Sequence, residues 1–181
     1  MSAAGEVWMR WRVRLGYPLA LVYVWLAQPA PAFLAVGGGI ALLGLLIRAA
    51  AAGHLRKHEV LATTGPFAYT RNPLYFGSAL LAAGFLVAGR SWIAAALIAA
   101  YFALFYSAVM RREEQELRAR YGAAFDSYAA RVPLFWPRLT PAGAPPLPFS
   151  WELYRRNREY QAALGTFFGL ALLWAKWMWW K

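Results

Sequence analysis

Residues 32–52 read AFLAVGGGIALLGLLIRAAAA. At 1.5 Å per residue these 21 residues make about 31 Å of helix, which matches a bilayer hydrocarbon core of about 30 Å. Other apolar stretches flank this one. Leu74–Gly89 has 16 residues, about 24 Å, so it needs flanking residues or a place inside a bundle. Trp92–Met110 and Ala162–Trp180 have 19 each, about 28 Å. Leu15–Ala27 is short, and spans only if its helix starts near Val7 with Arg10, Arg12 and Arg14 snorkelling to the headgroups. Gln28–Pro31 (Gln-Pro-Ala-Pro) then turns the chain into the second span. The fold expected is all-α: a single-domain integral membrane bundle of about five transmembrane helices. They lie near 7–27, 32–52, 74–89, 92–110 and 162–180, with segments 53–72 and 111–161 sharing one side.

Composition agrees. Of 181 residues, 61% are hydrophobic and 15% charged, whereas soluble domains run roughly 45–50% apolar and about 25% charged. No cleavable signal peptide is expected, because the first apolar stretch leads into more membrane-like sequence. With the N-terminus inside, Arg90, Lys176 and Lys181 fall outside and the other 16 of the 19 basic residues fall inside. The positive-inside rule therefore orients the bundle with its N-terminus cytoplasmic. The net charge of +11 is read as headgroup attraction, and nucleic acid is not expected as a partner. Trp174, Trp177, Trp179 and Trp180 form an expected aromatic belt at the outer interface.

Both longer non-spanning segments fall inside. The second opens with an expected amphipathic helix, in which Leu117, Tyr121, Phe125, Tyr128 and Val132 recur at helical spacing and Pro133 stops it. Six prolines between Pro133 and Pro148 forbid regular structure. Ser150 then suits the N-cap of a helix leading into the last span.

Two constellations carry chemistry. The first is Thr64 to Gly77, TGPFAYTRNPLYFG. Gly65-Pro66 makes a turn, Asn72 suits an N-cap and Pro73 suits the first helical position. That helix start and the Arg71 fork favour an anionic group. Phe67, Tyr69 and Tyr75 offer ring faces to a base or a cation. Gly77 lets a ligand or a neighbouring helix come close. The same residues also read as an ordinary junction between loop and span.

The second is Glu113-Glu114 at the inner mouth of the fourth span. Only eight acidic residues exist in the chain, and two adjacent ones at a membrane boundary need a partner or a use. Pairing with Arg111, Arg112 or Arg118 is the structural alternative. His54 and His58 are four apart, on one helical face. Without a cysteine anywhere or a third ligand they do not make a metal site, and none is expected.

In these two blocks the sequence resembles the isoprenylcysteine carboxyl methyltransferase family and the related bacterial phospholipid methyltransferases. The likeness runs from about Leu42 to Arg138. Gly65-Pro66-Phe67 through Arg71-Asn72-Pro73-Leu74-Tyr75-Phe76-Gly77 forms one block. Glu113-Glu114-Gln115-Glu116-Leu117, Tyr121-Gly122, Phe125, Tyr128, Val132-Pro133 and Pro137-Arg138 form the other. The eukaryotic prenylcysteine enzymes have His where Asn72 stands, so the acceptor stays open between a prenylcysteine-type carboxylate, a phospholipid amine or a similar group.

The resemblance implies an enzyme of about five spans in a bacterial inner membrane. It binds S-adenosyl-L-methionine at the cytoplasmic face and methylates a membrane lipid or other lipophilic acceptor. Gly65, Pro66, Phe67, Tyr69, Arg71, Asn72, Pro73, Tyr75, Gly77, Glu113 and Glu114 are the cofactor-binding candidates it implies. Arg131 is a weaker candidate for orienting a substrate carboxylate, and Glu114 for catalysis. Two rival expectations are an NAD(P)H-dependent membrane reductase with a similar Arg-x-Pro-x-Tyr block, and a lipid-binding scaffold without activity. The first conflicts with the short chain and the second with the intact Arg71, Tyr75, Glu113 and Glu114. Oligomeric state is not legible.

Overall fold

A computed structural model describes residues 3–57, 59–142 and 148–179, with the side chains of the first helix described from residue 14 onward. Among the described residues there are helices and no strands. In chain order the helices are α1 (Ala3–Leu26), α2 (Pro31–His54), α3 (Pro73–Gly89), α4 (Trp92–Tyr121), α5 (Ala123–Ala129), α6 (Trp151–Arg156) and α7 (Tyr160–Trp179), with a 3₁₀ turn at Gly65–Ala68. Three of them, α2, α4 and α7, are long and apolar enough to cross a membrane, and α3 is a shorter apolar helix of 17 residues. The protein is an integral membrane helical bundle. The expected side chains of Arg10, Arg12, Trp180 and Lys181 lie outside what is described.

The α2–α3 pair is held by glycine. Gly37 faces Gly84 and Gly44 faces Gly77, so that two glycines seven residues apart meet two others in antiparallel order. A Cβ on Gly84 would lie 2.5 Å from the Gly37 carbonyl, and one on Gly44 would lie 2.7 Å from the Gly77 carbonyl. Only glycine permits such backbone contact, and in lipid close packing takes the place of a hydrophobic driving force. At the far end of the bundle Tyr23, Ala27, Leu34, Ala88, Ala94 and Leu173 form a buried cluster. There Lys176 Nζ donates to the Val24 and Trp25 carbonyls at 2.7 and 2.8 Å, closing the C-terminus of α1.

Several expected boundaries move. The fourth span was expected to end at Met110, where the apolar run ends, yet α4 continues to Tyr121. Its polar extension is rich in Glu, Gln, Arg and Leu, all good helix formers, and Arg112 pairs with Glu116 one turn on at 2.9 Å. The expected amphipathic helix over Leu117–Val132 is broken at Gly122, whose φ of 50° turns the chain between α4 and α5. The apolar face survives the break: Phe125, Tyr128 and Val132 are buried against Leu117 and Tyr121. Ser150 does cap a helix, accepting from Leu153 N–H, but that helix is the short α6, separated from α7 at Asn157-Arg158-Glu159. The central prolines of the proline-rich stretch lie outside the described residues.

Candidate functional site

The two inside segments meet through their backbones. Arg71 N–H donates to the Pro133 carbonyl at 2.9 Å, Arg138 N–H to Tyr69 at 2.9 Å, and Ala142 N–H to Ala68 at 2.9 Å. Asn72 and Thr70 add side-chain bonds, Asn72 Nδ2 to the Leu134 carbonyl at 3.0 Å and Thr70 Oγ1 to the Phe135 carbonyl at 3.0 Å. The Tyr128 hydroxyl donates to the Phe67 carbonyl at 2.8 Å. Burial pushes the Tyr128 phenol well above its ordinary value, with Glu114 adding to the rise and Arg71 opposing it, so the phenol keeps its proton and its donor role. Residues 67–72 are thus clasped to 128–142.

The clasp closes one side of a cavity of about 1200 Å³. Its wall includes Phe67, Arg71, Asn72, Pro73 and Tyr75 from the first block and Glu113 and Glu114 from the second. Because α4 continues as a helix past Met110, it carries both glutamates across to the start of α3. Arg71 Nη2 lies 2.8 Å from Glu114 Oε1, and Arg71 Nη1 donates to the Ala129 carbonyl at 3.0 Å. Arg71 Nε is buried without a hydrogen-bond partner. Such a donor is costly to bury unless an acceptor takes its hydrogen bond. The Tyr75 hydroxyl donates to Glu113 Oε1 at 2.6 Å, and the Tyr75 ring stands edge-on to Tyr106 at 5.4 Å. Both signs of charge and several ring faces therefore border one space.

Other candidates serve the fold or stand off the cavity. Asn72 holds the N-cap position of α3, but its side chain makes no capping bond and goes to Leu134 instead. Gly65 has φ +59°, and a Cβ there would strike the His54 ring, so its role is to shape the turn, and Pro66 follows it in that turn. Gly77 admits the Arg48 stem and the Gly44 carbonyl, a neighbouring helix rather than a ligand. Tyr69 is exposed and does not line the cavity. Arg131 is exposed, donates from Nε to the Ser127 carbonyl at 3.1 Å and is not among the residues that line the cavity. The helix α2 ends at His54, and His58 lies outside the described residues. His54 Nδ1 is 2.7 Å from the Ala50 carbonyl and its ring packs on Phe149.

Comparison with known proteins fits this arrangement. The profile of the phospholipid methyltransferase family matches residues 34–124. The chain belongs to that family. A nickel-cobalt-cadmium resistance protein, NccN, of Alcaligenes xylosoxydans xylosoxydans is 37% identical over 112 residues, which is 62% of this chain and 46% of that protein. A cobalt-zinc-cadmium resistance protein, CzcN, of Cupriavidus metallidurans is 39% identical over 85 residues, 47% of this chain and 39% of that protein. The chain thus aligns with less than half the length of either curated relative. No solved structure matches it.

Membership in this family of membrane methyltransferases sharpens the division of the site. The matched region supplies α2, α3, α4, Arg71, Tyr75, Glu113 and Glu114. The clasp partner 128–142, and α6 and α7, lie beyond it. Sequence reasoning also missed residues on the cavity wall, namely Arg48 and Ser78, together with Glu159, which holds Arg48 from behind. Arg48 was visible as the only charge in the stretch 32–52, and Glu159 as one of eight acidic residues, but their partnership across 111 positions left no local pattern.

Proposed function

We propose that this chain transfers a methyl group from S-adenosyl-L-methionine to a lipophilic or membrane-embedded acceptor. In this reading five spans cross a bacterial inner membrane, and the arginine-rich end, with its cavity, faces the cytoplasm. The observation that carries it is the buried, unpartnered Nε of Arg71 beside Glu114 on a cavity that Tyr75 and Glu113 also border. The cofactor joins a carboxylate, an ammonium and a sulfonium to a flat base, and the wall offers a group for each. The cavity volume of about 1200 Å³ exceeds the ~300–1,000 Å³ of usual small-molecule sites, which leaves space for an acceptor beside a cofactor.

The roles follow from side-chain chemistry. The Arg71 cation suits a carboxylate, and Glu113 and Glu114 suit an ammonium or ribose hydroxyls. The Tyr75 and Tyr106 rings suit the base or the sulfonium. When bound, S-adenosyl-L-methionine supplies a methyl group activated by its sulfonium. What the chain then does is hold the acceptor in line and keep water away. A carboxylate acceptor needs no base; an amine gives up its proton, and Glu113 or Glu114 stands near enough to the cavity to take it.

Calorimetric titration of the detergent-purified protein with S-adenosyl-L-methionine tests the reading. Saturable binding is expected, weakened in Glu114→Ala and Tyr75→Ala. No binding by wild type, or variants indistinguishable from it, would overturn the proposal. Methyl-labelled cofactor offered with lipid extracts then identifies the acceptor.

The names of the two relatives favour a setting in metal resistance. With no cysteine in the chain, we read such a role as passing through membrane methylation rather than metal ligation. If so, a deletion strain with raised cadmium sensitivity is rescued by wild type and not by Arg71→Ala.

A further inference from the structure

We infer that Arg48 and Glu159 are positioning residues for the cavity, so that the C-terminal unit α6–α7 completes the site. The inference rests on the cofactor reading above. Glu159 is 7% exposed, and Arg48 reaches it with two bonds, Nε to Oε1 at 2.5 Å and Nη2 to Oε2 at 3.0 Å. A buried carboxylate is costly and a forked pair is the arrangement that offsets it, so the guanidinium plane is fixed. From that plane Nη1 donates to the Leu74 carbonyl at 3.2 Å and to Ser78 Oγ. Ser78 in turn donates to the same Leu74 carbonyl at 2.9 Å. Leu74 precedes Tyr75, the tyrosine bonded to Glu113. Arg48, Leu74, Tyr75 and Ser78 all border the cavity. One chain of bonds therefore runs from the α6–α7 junction through α2 to the start of α3.

The segment that carries Glu159 is shaped for this insertion. Asn157 Nδ2 donates to the Ala52 and Leu55 carbonyls, both at 2.9 Å, at the end of α2. Arg158 has φ 54°, a left-handed conformation uncommon for a residue with a side chain. The Ser150 N–H donates to the Gly53 carbonyl at 3.1 Å, and the Phe149 ring lies against Gly53. Gly77 leaves room for the Arg48 stem, since a Cβ there would lie 2.5 Å from Arg48 Cγ. A span that merely anchored the chain needs none of these features.

The test separates positioning from stability. In the double variant Arg48→Met/Glu159→Met, both charges leave together, and the thermal midpoint in detergent is expected to stay near that of wild type. Its affinity for S-adenosyl-L-methionine is expected to fall on the order of tenfold, because the start of α3 is no longer held. Ser78→Ala removes one link without disturbing the pair, and should weaken binding about threefold with an unchanged midpoint. Wild-type affinity in either variant, when folded, overturns the inference and leaves the functional reading standing. Absence of binding by wild type overturns the functional reading and this inference with it.

Discussion

The α2–α3 pair and the α1–α4 pair border the same cavity and are built by opposite means. Gly37, Gly44, Gly77 and Gly84 press the backbones of α2 and α3 together. Between α1 and α4 the approach is made by side chains: a Cβ on Gly16 would meet the Tyr101 hydroxyl at an ordinary 3.6 Å. Long stretches of these two helices stay exposed, among them Tyr17, Leu21, Trp25, Trp92, Ile93, Leu97 and Leu104. The close-packed pair is the one that carries Arg48 and leads out of Arg71, while Glu113 and Glu114 face them from α4.

Matched substitutions break or sharpen this contrast. The largest effect is expected from Gly84→Ala, where the methyl has backbone on its far side and cannot be accommodated. A loss of about 3 kcal/mol is expected, read as a lowered denaturation midpoint in detergent. Arg71→Lys tests what the rigid wall holds. Lysine keeps the charge but loses the fork, and affinity for S-adenosyl-L-methionine is expected to drop about 10- to 100-fold by calorimetry.

Tyr128→Phe leaves the Phe67 carbonyl without its buried donor and should cost about 1–2 kcal/mol. It also carries a pH signature. The folded phenol ionises above its ordinary value of 10.0, so its contribution is fully present below that pH and is lost as pH rises through the folded value. Wild type should therefore destabilise more steeply than Tyr128→Phe in alkaline denaturation series. The smallest effect, and of opposite sign, is expected for Gly16→Ala. With room for the methyl, the helix gains about 0.5–1 kcal/mol, and a rise in midpoint distinguishes the loose wall from the tight one.

The contrast also explains what was legible in the sequence. Apolar runs long enough to span located α2, α4 and α7 because length and hydropathy are local. They located their ends less well. Met110 ends an apolar run, and nothing in hydropathy says that the Arg112–Glu116 pair continues the helix. The spacing of Phe125, Tyr128 and Val132 gave the buried face correctly although Gly122 breaks the helix that was expected to present it. In the site, Arg71, Tyr75, Glu113 and Glu114 were readable as rare charges and rings at a boundary. Arg131 has the same chemistry, and the sequence does not tell that it stays off the cavity wall. The Asn72 side chain was misassigned because a carbonyl from the other segment competes for it, and the Arg48–Glu159 pair joins residues that only the fold makes neighbours.

The unbroken length of α4 has a consequence for what can be modified. From Trp92 to Glu113 the helix rises about 31 Å, close to one hydrocarbon thickness. With Trp92 at one edge of the oily layer, Glu113 stands at the other. The helix is then a depth gauge. Under the proposed methyl transfer it would set the reaction at the level where polar headgroups begin, so an acceptor whose reactive atom rides at that height would be met in place, and a deeper one would have to be lifted.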